Sequence, residues 1–92
     1  MKKTSTSMKH RNFLSEPMGE KCVSQIAGIG EVYKKRLHEA GYDLAYVLFG
    51  QFLLLKKDHD NFTAFLKDEF NFSNQYAEGC YECLRDYCTQ HL

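Results

Sequence analysis

From Ser7 onward, apolar residues recur at helical spacing, and each cluster is set off by a polar cap, a glycine or a proline. Ser7 opens a first helix, Phe13 and Leu14 give it an apolar side, and it ends before Pro17. Met18-Gly19-Glu20 reads as a turn, and Val23 to Ile26 as a short helix leading into Gly28-Ile29-Gly30. The next helix spans about Glu31 to Ala40, with Tyr33, Leu37 and Ala40 on one face, and Gly41 ends it in the left-handed position. Asp43 caps an unusually apolar helix from Leu44 to Leu55, closed by Lys56 and Lys57. Asp58 caps a helix carrying Phe62, Phe65 and Leu66. Ser73 caps a last helix to about His91, with Tyr76, Ala77, Cys80, Leu84, Tyr87 and Cys88 inward. The pattern predicts an all-α, compact bundle of five to six short helices without strands.

The helix over residues 44–55 is apolar on every side, and such a helix must be buried on every side. A chain of 92 residues can cover only part of it with its own core. The rest is expected to meet another protein, most simply a second copy of the chain. A fully internal central helix in a monomer is the competing arrangement. Gly50 in mid-helix costs about 1 kcal/mol against Ala, and a close helix crossing would account for it.

Length and composition bound the picture further. Ninety-two residues make one domain, expected over residues 7–92 behind a flexible tail at 1–6. Thirteen aromatic residues argue for a folded chain. No apolar run reaches the roughly 20 residues of a membrane span, so membrane insertion is not expected, and the N-terminus lacks the apolar stretch of a secretory signal. Net charge is zero but unevenly spread. Residues 1–36 hold eight Lys/Arg and three Asp/Glu, a net +5, and residues 37–92 hold four and nine, a net −5. A basic half beside an acidic half suggests one face for a polyanion.

Ile26-Ala27-Gly28-Ile29-Gly30 carries the most specific chemistry. Two glycines flank one apolar residue where a helical pattern begins. The first amides of a helix lack internal partners and sit at its positive dipole end, so they favour an anion. Lys34, Lys35 and Arg36 follow at once. The layout looks like a helix-hairpin-helix element, which holds a DNA backbone phosphate and reads no bases. A plain glycine-rich turn between core helices is the alternative. A dinucleotide fold wants a third glycine where Tyr33 stands, and a P-loop wants Gly-Lys-Ser/Thr.

Cys80, Cys83, Cys88 and His91 invite a zinc or redox reading, but their spacing places them on one face of a helix, which favours core cysteines and no metal. His10, His38, His59 and His91 are scattered without a paired nucleophile, so catalysis is not expected. No cofactor and no small-molecule substrate are implied.

Longer strings carry a resemblance. Lys9-His10-Arg11, Glu16 to Lys21, Ala27 to Glu31, Ala45-Tyr46-Val47, Gly50 to Leu53, Leu55 to Asp58, Leu66-Lys67-Asp68 and Cys83-Leu84-Arg85 all resemble the barrier-to-autointegration factor family. The resemblance covers essentially all of residues 7–92. It implies an all-helical homodimer that binds double-stranded DNA without sequence preference, with two sites facing apart so that one dimer bridges two duplexes. It implies LEM-domain proteins of the inner nuclear membrane and lamin A as partners. It further implies a role in nuclear assembly, location in the nucleus at chromatin and envelope, and presence in the cytoplasm.

Residue by residue, the resemblance assigns Gly28, Ile29, Gly30, Val32 and Tyr33 to the phosphate-binding hairpin. Ser7, Lys9, Lys35, Arg36 and Gln75 fall at the DNA face. Ser5, Thr6 and Ser7 stand where the family is phosphorylated to release DNA, since each phosphate adds about −1.5 to −2 charges. Phe49, Gly50 and Leu53 match the dimer contact. Phe13, Pro17, Gln51, Leu54 and Lys57 surround the groove for a LEM domain. Two departures weaken the DNA face, because Gln75 and Glu78 stand where the family usually has basic residues, although Lys2 and Lys3 offset some of that loss. Phe65 and Tyr87 replace two tryptophans. The competing function is therefore a related dimeric protein-interaction module with weak or lost DNA binding.

Overall fold

The computed structural model describes residues 7–92, and in it the caps fall almost where local chemistry puts them. Helix α1 spans Met8–Leu14, with the Ser7 side chain accepting from the His10 amide at 3.1 Å. A 3-10 turn over Val23–Gln25 precedes helix α2, Glu31–Glu39. Helices α3, Ala45–Leu54, α4, His59–Phe70, and α5, Asn74–His91, complete the order. Asp58 accepts from the Asn61 amide at 2.8 Å, and Ser73 from the Tyr76 amide at 3.4 Å. At the end of α2, Gly41 takes φ +93°, and the Gly41 and Tyr42 amides return to the His38 and Leu37 carbonyls, the paired bonds of a Schellman stop.

Three local expectations change. Asp43 does not cap α3. Leu44 occupies that place, and Asp43 Oδ1 accepts only from the adjacent Leu44 amide, at 3.0 Å. An isolated antiparallel bridge between Cys22 and Leu44 does the capping instead. In it the Ala45 amide donates to the Lys21 carbonyl and the Val23 amide to the Asp43 carbonyl, both at 2.9 Å. Ala40 is exposed, because α2 already ends at Glu39. Lys56 and Lys57 lie beyond α3, both left-handed at φ 62° and 61°, with their amides donating to the Leu53 and Phe52 carbonyls.

One contiguous apolar core holds these pieces together, and α5 is its spine. Ala77, Cys80, Cys83, Leu84, Tyr87 and Cys88 are buried along one face, against Phe13 of α1, Phe49 and Phe52 of α3, and Phe62 and Leu66 of α4. Tyr87 shows how aromatic bulk and a polar tip combine. Its ring packs on Phe13 and Phe49 at 5.4 and 5.5 Å, while its hydroxyl accepts from the buried Met18 amide at 2.9 Å. An indole, a donor only, has no acceptor to offer that amide.

Candidate nucleic-acid interface

The segment before α2 folds back on itself through short-range amide bonds. The Ile26 amide donates to the Val23 carbonyl and the Ile29 amide to the Ile26 carbonyl at 3.2 Å. Gly30 is the N-cap of α2, extended at φ −96° and ψ −166°, with no side chain capping the helix. The first bond of α2 runs from the Lys34 amide to the Gly30 carbonyl at 2.8 Å. The Glu31, Val32 and Tyr33 amides precede that bond, so they are the orphan donors of the helix start. They open on a depression of about 700 Å³ lined by the whole stretch from Gly28 to Tyr33 together with Lys9, Arg36, Asn71 and Tyr76.

The two glycines do different things. Gly28 has φ +89°, and a Cβ there would lie 2.5 Å from the Tyr76 carbonyl oxygen and 3.0 Å from the Cys80 nitrogen. Its missing side chain lets the hairpin seat against the backbone of α5. Gly30 needs no unusual torsion, and a Cβ there meets nothing within 4 Å. Open space for an approaching anion belongs to Gly30. Ile29 is wholly buried and its amide is already bonded, so it anchors the hairpin from inside.

The cations divide similarly. Lys9 Nζ donates to the Ile29 carbonyl, which ties α1 to the hairpin rim, and partial burial lowers its pKa from the usual lysine value. Arg36 is more committed than its sequence position suggests. It donates to the Phe70 carbonyl at 2.9 Å and lies over the Tyr33 ring at 5.4 Å, so its guanidinium complements the negative end of α4 while lining the depression. Lys35 is exposed on the outer side of α2, beside Val32 and Lys34. Tyr33 stacks on Phe72 at 3.9 Å and accepts from the Ser73 amide at 3.0 Å, fixing the start of α5 against the hairpin.

Ser7 lines an adjoining depression with His10, Gln75, Glu78 and Glu82. Ser5 and Thr6, with Lys2 and Lys3 and the expected tail, lie outside the described residues. Gln75 is exposed. Glu78 is bonded to His59 Nε2 at 2.6 Å, and Asp60 holds His59 Nδ1 at 2.7 Å. The hydrogen bonds that the His59 ring donates to the Asp60 and then the Glu78 carboxylate raise its pKa above 6.5. The raised value means the charged pair contributes fully below the unfolded pKa and is lost as pH rises through the folded one. A histidine titration by NMR is expected to place the His59 midpoint above 6.5; a midpoint at or below it would show that the cluster does not form.

Two residues of the main depression escape the sequence pattern. Tyr76, expected inward, is 49% exposed, and Asn71 reaches the rim because it takes the left-handed stop of α4 at φ 56° and ψ 39°. An αL stop filled by Asn is a usable signal for the second; the first had none.

Of the expected partner-facing residues, Phe49, Gly50, Gln51, Leu53 and Leu54 belong to α3, Phe13 to α1, and Pro17 and Lys57 lie outside these helices. Tyr46, Leu53 and Leu54 are exposed, Leu54 to 73%, and Gly50 faces open space. Phe49 is buried against Phe52 and Tyr87, and Phe13 is 1% exposed and packs on Tyr87. Pro17 and Lys57 are exposed and Gln51 is half-buried.

Cys80, Cys83 and Cys88 sit in the core as their spacing predicts, and Cys22 is half-buried at its edge. Burial pushes the Cys80 thiol far up and Cys83 to about 11. For Cys22, burial opposes ionisation, but hydrogen bonds from Ser24 and His38 outweigh it and bring the thiol to about 7. Among the described residues, no group of three or more His, Cys, Asp or Glu is placed to hold a metal, and no helix is long and apolar enough to cross a membrane.

Comparison with known proteins converges with this geometry. A family profile described as "Barrier to autointegration factor" matches residues 4–91. The barrier-to-autointegration factor of Homo sapiens is 53% identical over 87 residues, covering 95% of this chain and 98% of its own length. That of Danio rerio is 52% identical over 89 residues, covering 97% and 99%. That of Drosophila melanogaster is 49% identical over 87 residues, covering 95% and 97%. An uncapped helix start behind a G-x-G hairpin, the all-helical frame around it and identity along nearly the full length agree: this chain belongs to the barrier-to-autointegration factor family.

Proposed function

We propose that the chain is a homodimer that binds double-stranded DNA without sequence preference and bridges two duplexes. It thereby links chromatin to LEM-domain proteins and lamin A at the nuclear envelope and takes part in nuclear assembly. One observation carries this reading. Three orphan amides of α2 open on a depression rimmed by Lys9 and Arg36, the arrangement that holds a backbone phosphate by main-chain donors and dipole. Phosphate contacts carry no base information, so binding by them is non-specific. Family membership supports a chromatin-associated, nuclear role and gives no support to catalysis.

Dimerisation rests on the outer face of α3. Tyr46 and Leu53 lie open along one helix, Phe49 sits beside them, and Gly50 leaves room for a close crossing. Sedimentation is expected to give a dimer for the parent and a monomer for Leu53→Glu, because a carboxylate in an apolar interface has no partner. A dimeric variant would assign the contact elsewhere. The LEM-domain groove is proposed next to that face, around Pro17, Gln51, Leu54 and Lys57. Phosphorylation of Ser7 would place negative charge beside the hairpin and weaken DNA binding.

The rival reading, an interaction module with little DNA affinity, draws on Gln75 and on Glu78. The contact of Glu78 with His59 offsets part of its charge, which favours retained binding. A salt titration of duplex binding separates the two. Parent affinity should fall steeply with salt. Lys9→Glu should weaken binding and flatten the slope, a removed phosphate contact being worth about one unit, while Glu78→Arg should strengthen binding and steepen it. No measurable binding near physiological salt would favour the interaction module.

A further inference from the structure

We propose that His59 makes duplex binding depend on pH: protonated, it masks the Glu78 carboxylate beside the phosphate site, and neutral, it leaves that charge facing the DNA backbone. The inference rests on the phosphate site proposed above. Glu78 lines the hollow that holds Ser7, His10, Gln75 and Glu82, and this hollow shares Gly28 and Tyr76 with the depression in front of the α2 amides. A bare charge on Glu78 therefore stands at the edge of the surface expected to meet phosphates.

His59 is the first residue of α4, yet its Nε2 reaches Glu78 on α5 at 2.6 Å. Its Nδ1 lies 2.7 Å from Asp60, and its ring meets Tyr81 edge-on at 4.9 Å. Both ring nitrogens are thus committed to carboxylates. An ionised carboxylate only accepts, and a neutral imidazole carries one N–H, so the pair of contacts needs the imidazolium. Deprotonation must give up one of them. The three groups then pass from one net negative charge to two.

The charged groups around the trio do not take over the part of His59. Among the described residues, His59 is the one cation bonded to Glu78. On α4, the Asp58 carboxylate accepts from the Asn61 amide. On α5, the Tyr81 hydroxyl donates to the Lys57 carbonyl, and Arg85 lies over the Tyr81 ring while bonded to Asp86. His10 of α1 shares the hollow but is buried and held by Asp86 at 3.0 Å. Glu82, also in that hollow, adds a fixed negative charge. The raised His59 pKa brings the transition towards neutral pH.

The sign follows from charge. An extra negative charge near a bound phosphate weakens binding, so duplex affinity falls as pH rises through the His59 midpoint. By linkage, a bound duplex favours the charged ring and moves that midpoint up.

The test uses full-length protein, a short blunt duplex and fluorescence anisotropy at one low salt concentration, on both sides of the His59 midpoint. Parent affinity is expected to fall about two- to threefold across it, the size of one screened charge near the site. His59→Gln, which donates a hydrogen bond but carries no charge, should bind at the weaker level throughout. His59→Lys, charged at every pH used, should bind at the stronger level throughout. NMR of the parent reads the reciprocal effect without any substitution, as an upward shift of the His59 midpoint when duplex is added. The proposal is overturned if parent and His59→Gln change in parallel with pH, or if saturating duplex leaves the midpoint where it was. Gly30→Glu separates the two levels. If it keeps duplex binding, the phosphate site falls and the pH effect with it. If it loses duplex binding while the His59 midpoint of the parent ignores the duplex, only the pH effect falls.

Discussion

Gly30→Glu is expected to abolish duplex binding while the protein melts like the parent. Gly30 sits at φ −96° and ψ −166°, a conformation open to any residue, and a side chain there grows into empty space. Nothing in the fold opposes the substitution. The new carboxylate, however, stands at the helix start, where the Glu31, Val32 and Tyr33 amides would otherwise meet a phosphate. It can satisfy those amides itself as an N-terminal cap, and it repels the DNA backbone. Like charges brought together at an interface cost several kcal/mol, which is roughly a hundredfold or more in affinity. Two sites in a dimer carry the same loss, so compaction of long DNA should vanish as well. Anisotropy with a short duplex, beside a thermal melt, checks both halves. Parent-like binding by this variant would remove the hairpin from the DNA face.

Gly28→Ala is expected to cost stability instead, by about 3 kcal/mol or more. The left-handed conformation at φ +89° by itself costs a non-glycine residue about 1–2 kcal/mol. The added Cβ would also stand 2.5 Å from the Tyr76 carbonyl oxygen and 3.0 Å from the Cys80 nitrogen. Both atoms belong to the backbone of α5, so no side chain can rotate away, and the hairpin must lift off the helix. Against a typical total of about 5–15 kcal/mol for a domain, that is a large share. Urea unfolding should show the midpoint shift, and a parent-like midpoint would contradict the seating of the hairpin on α5. Gly28→Glu, the natural charge-reversal probe from the sequence, therefore tests folding before it tests DNA binding. Gly30 is the position that isolates the phosphate contact.

The contrast between these glycines shows where legibility in the sequence ends. Both are visible in Gly28-Ile29-Gly30, and both fit an anion-binding turn. Only the approach of α5, some fifty positions along the chain, assigns one to packing and the other to open space. Arg36 follows the same logic. Its place after Lys34 and Lys35 suggests a phosphate contact, yet its guanidinium donates to Phe70 at the end of α4. Glu78 reads as a repelling charge until His59 is found 2.6 Å away. Asp43 looks like a helix cap, but the bridge from Lys21 and Val23 takes that role.

Local order along the chain determined the helices. Ser7, Asp58, Ser73 and Gly41 act on amides and carbonyls within a turn of themselves, and the apolar period of α5 places its cysteines inside without reference to any other segment. These effects are short-ranged, so the residues that cause them are neighbours in the sequence. Which glycine is free, which cation is engaged, which tyrosine stands out and which side of α3 is left uncovered were decided only by tertiary packing. Each depends on an atom brought close from a distant part of the chain, and contacts of that kind leave no trace in a local pattern.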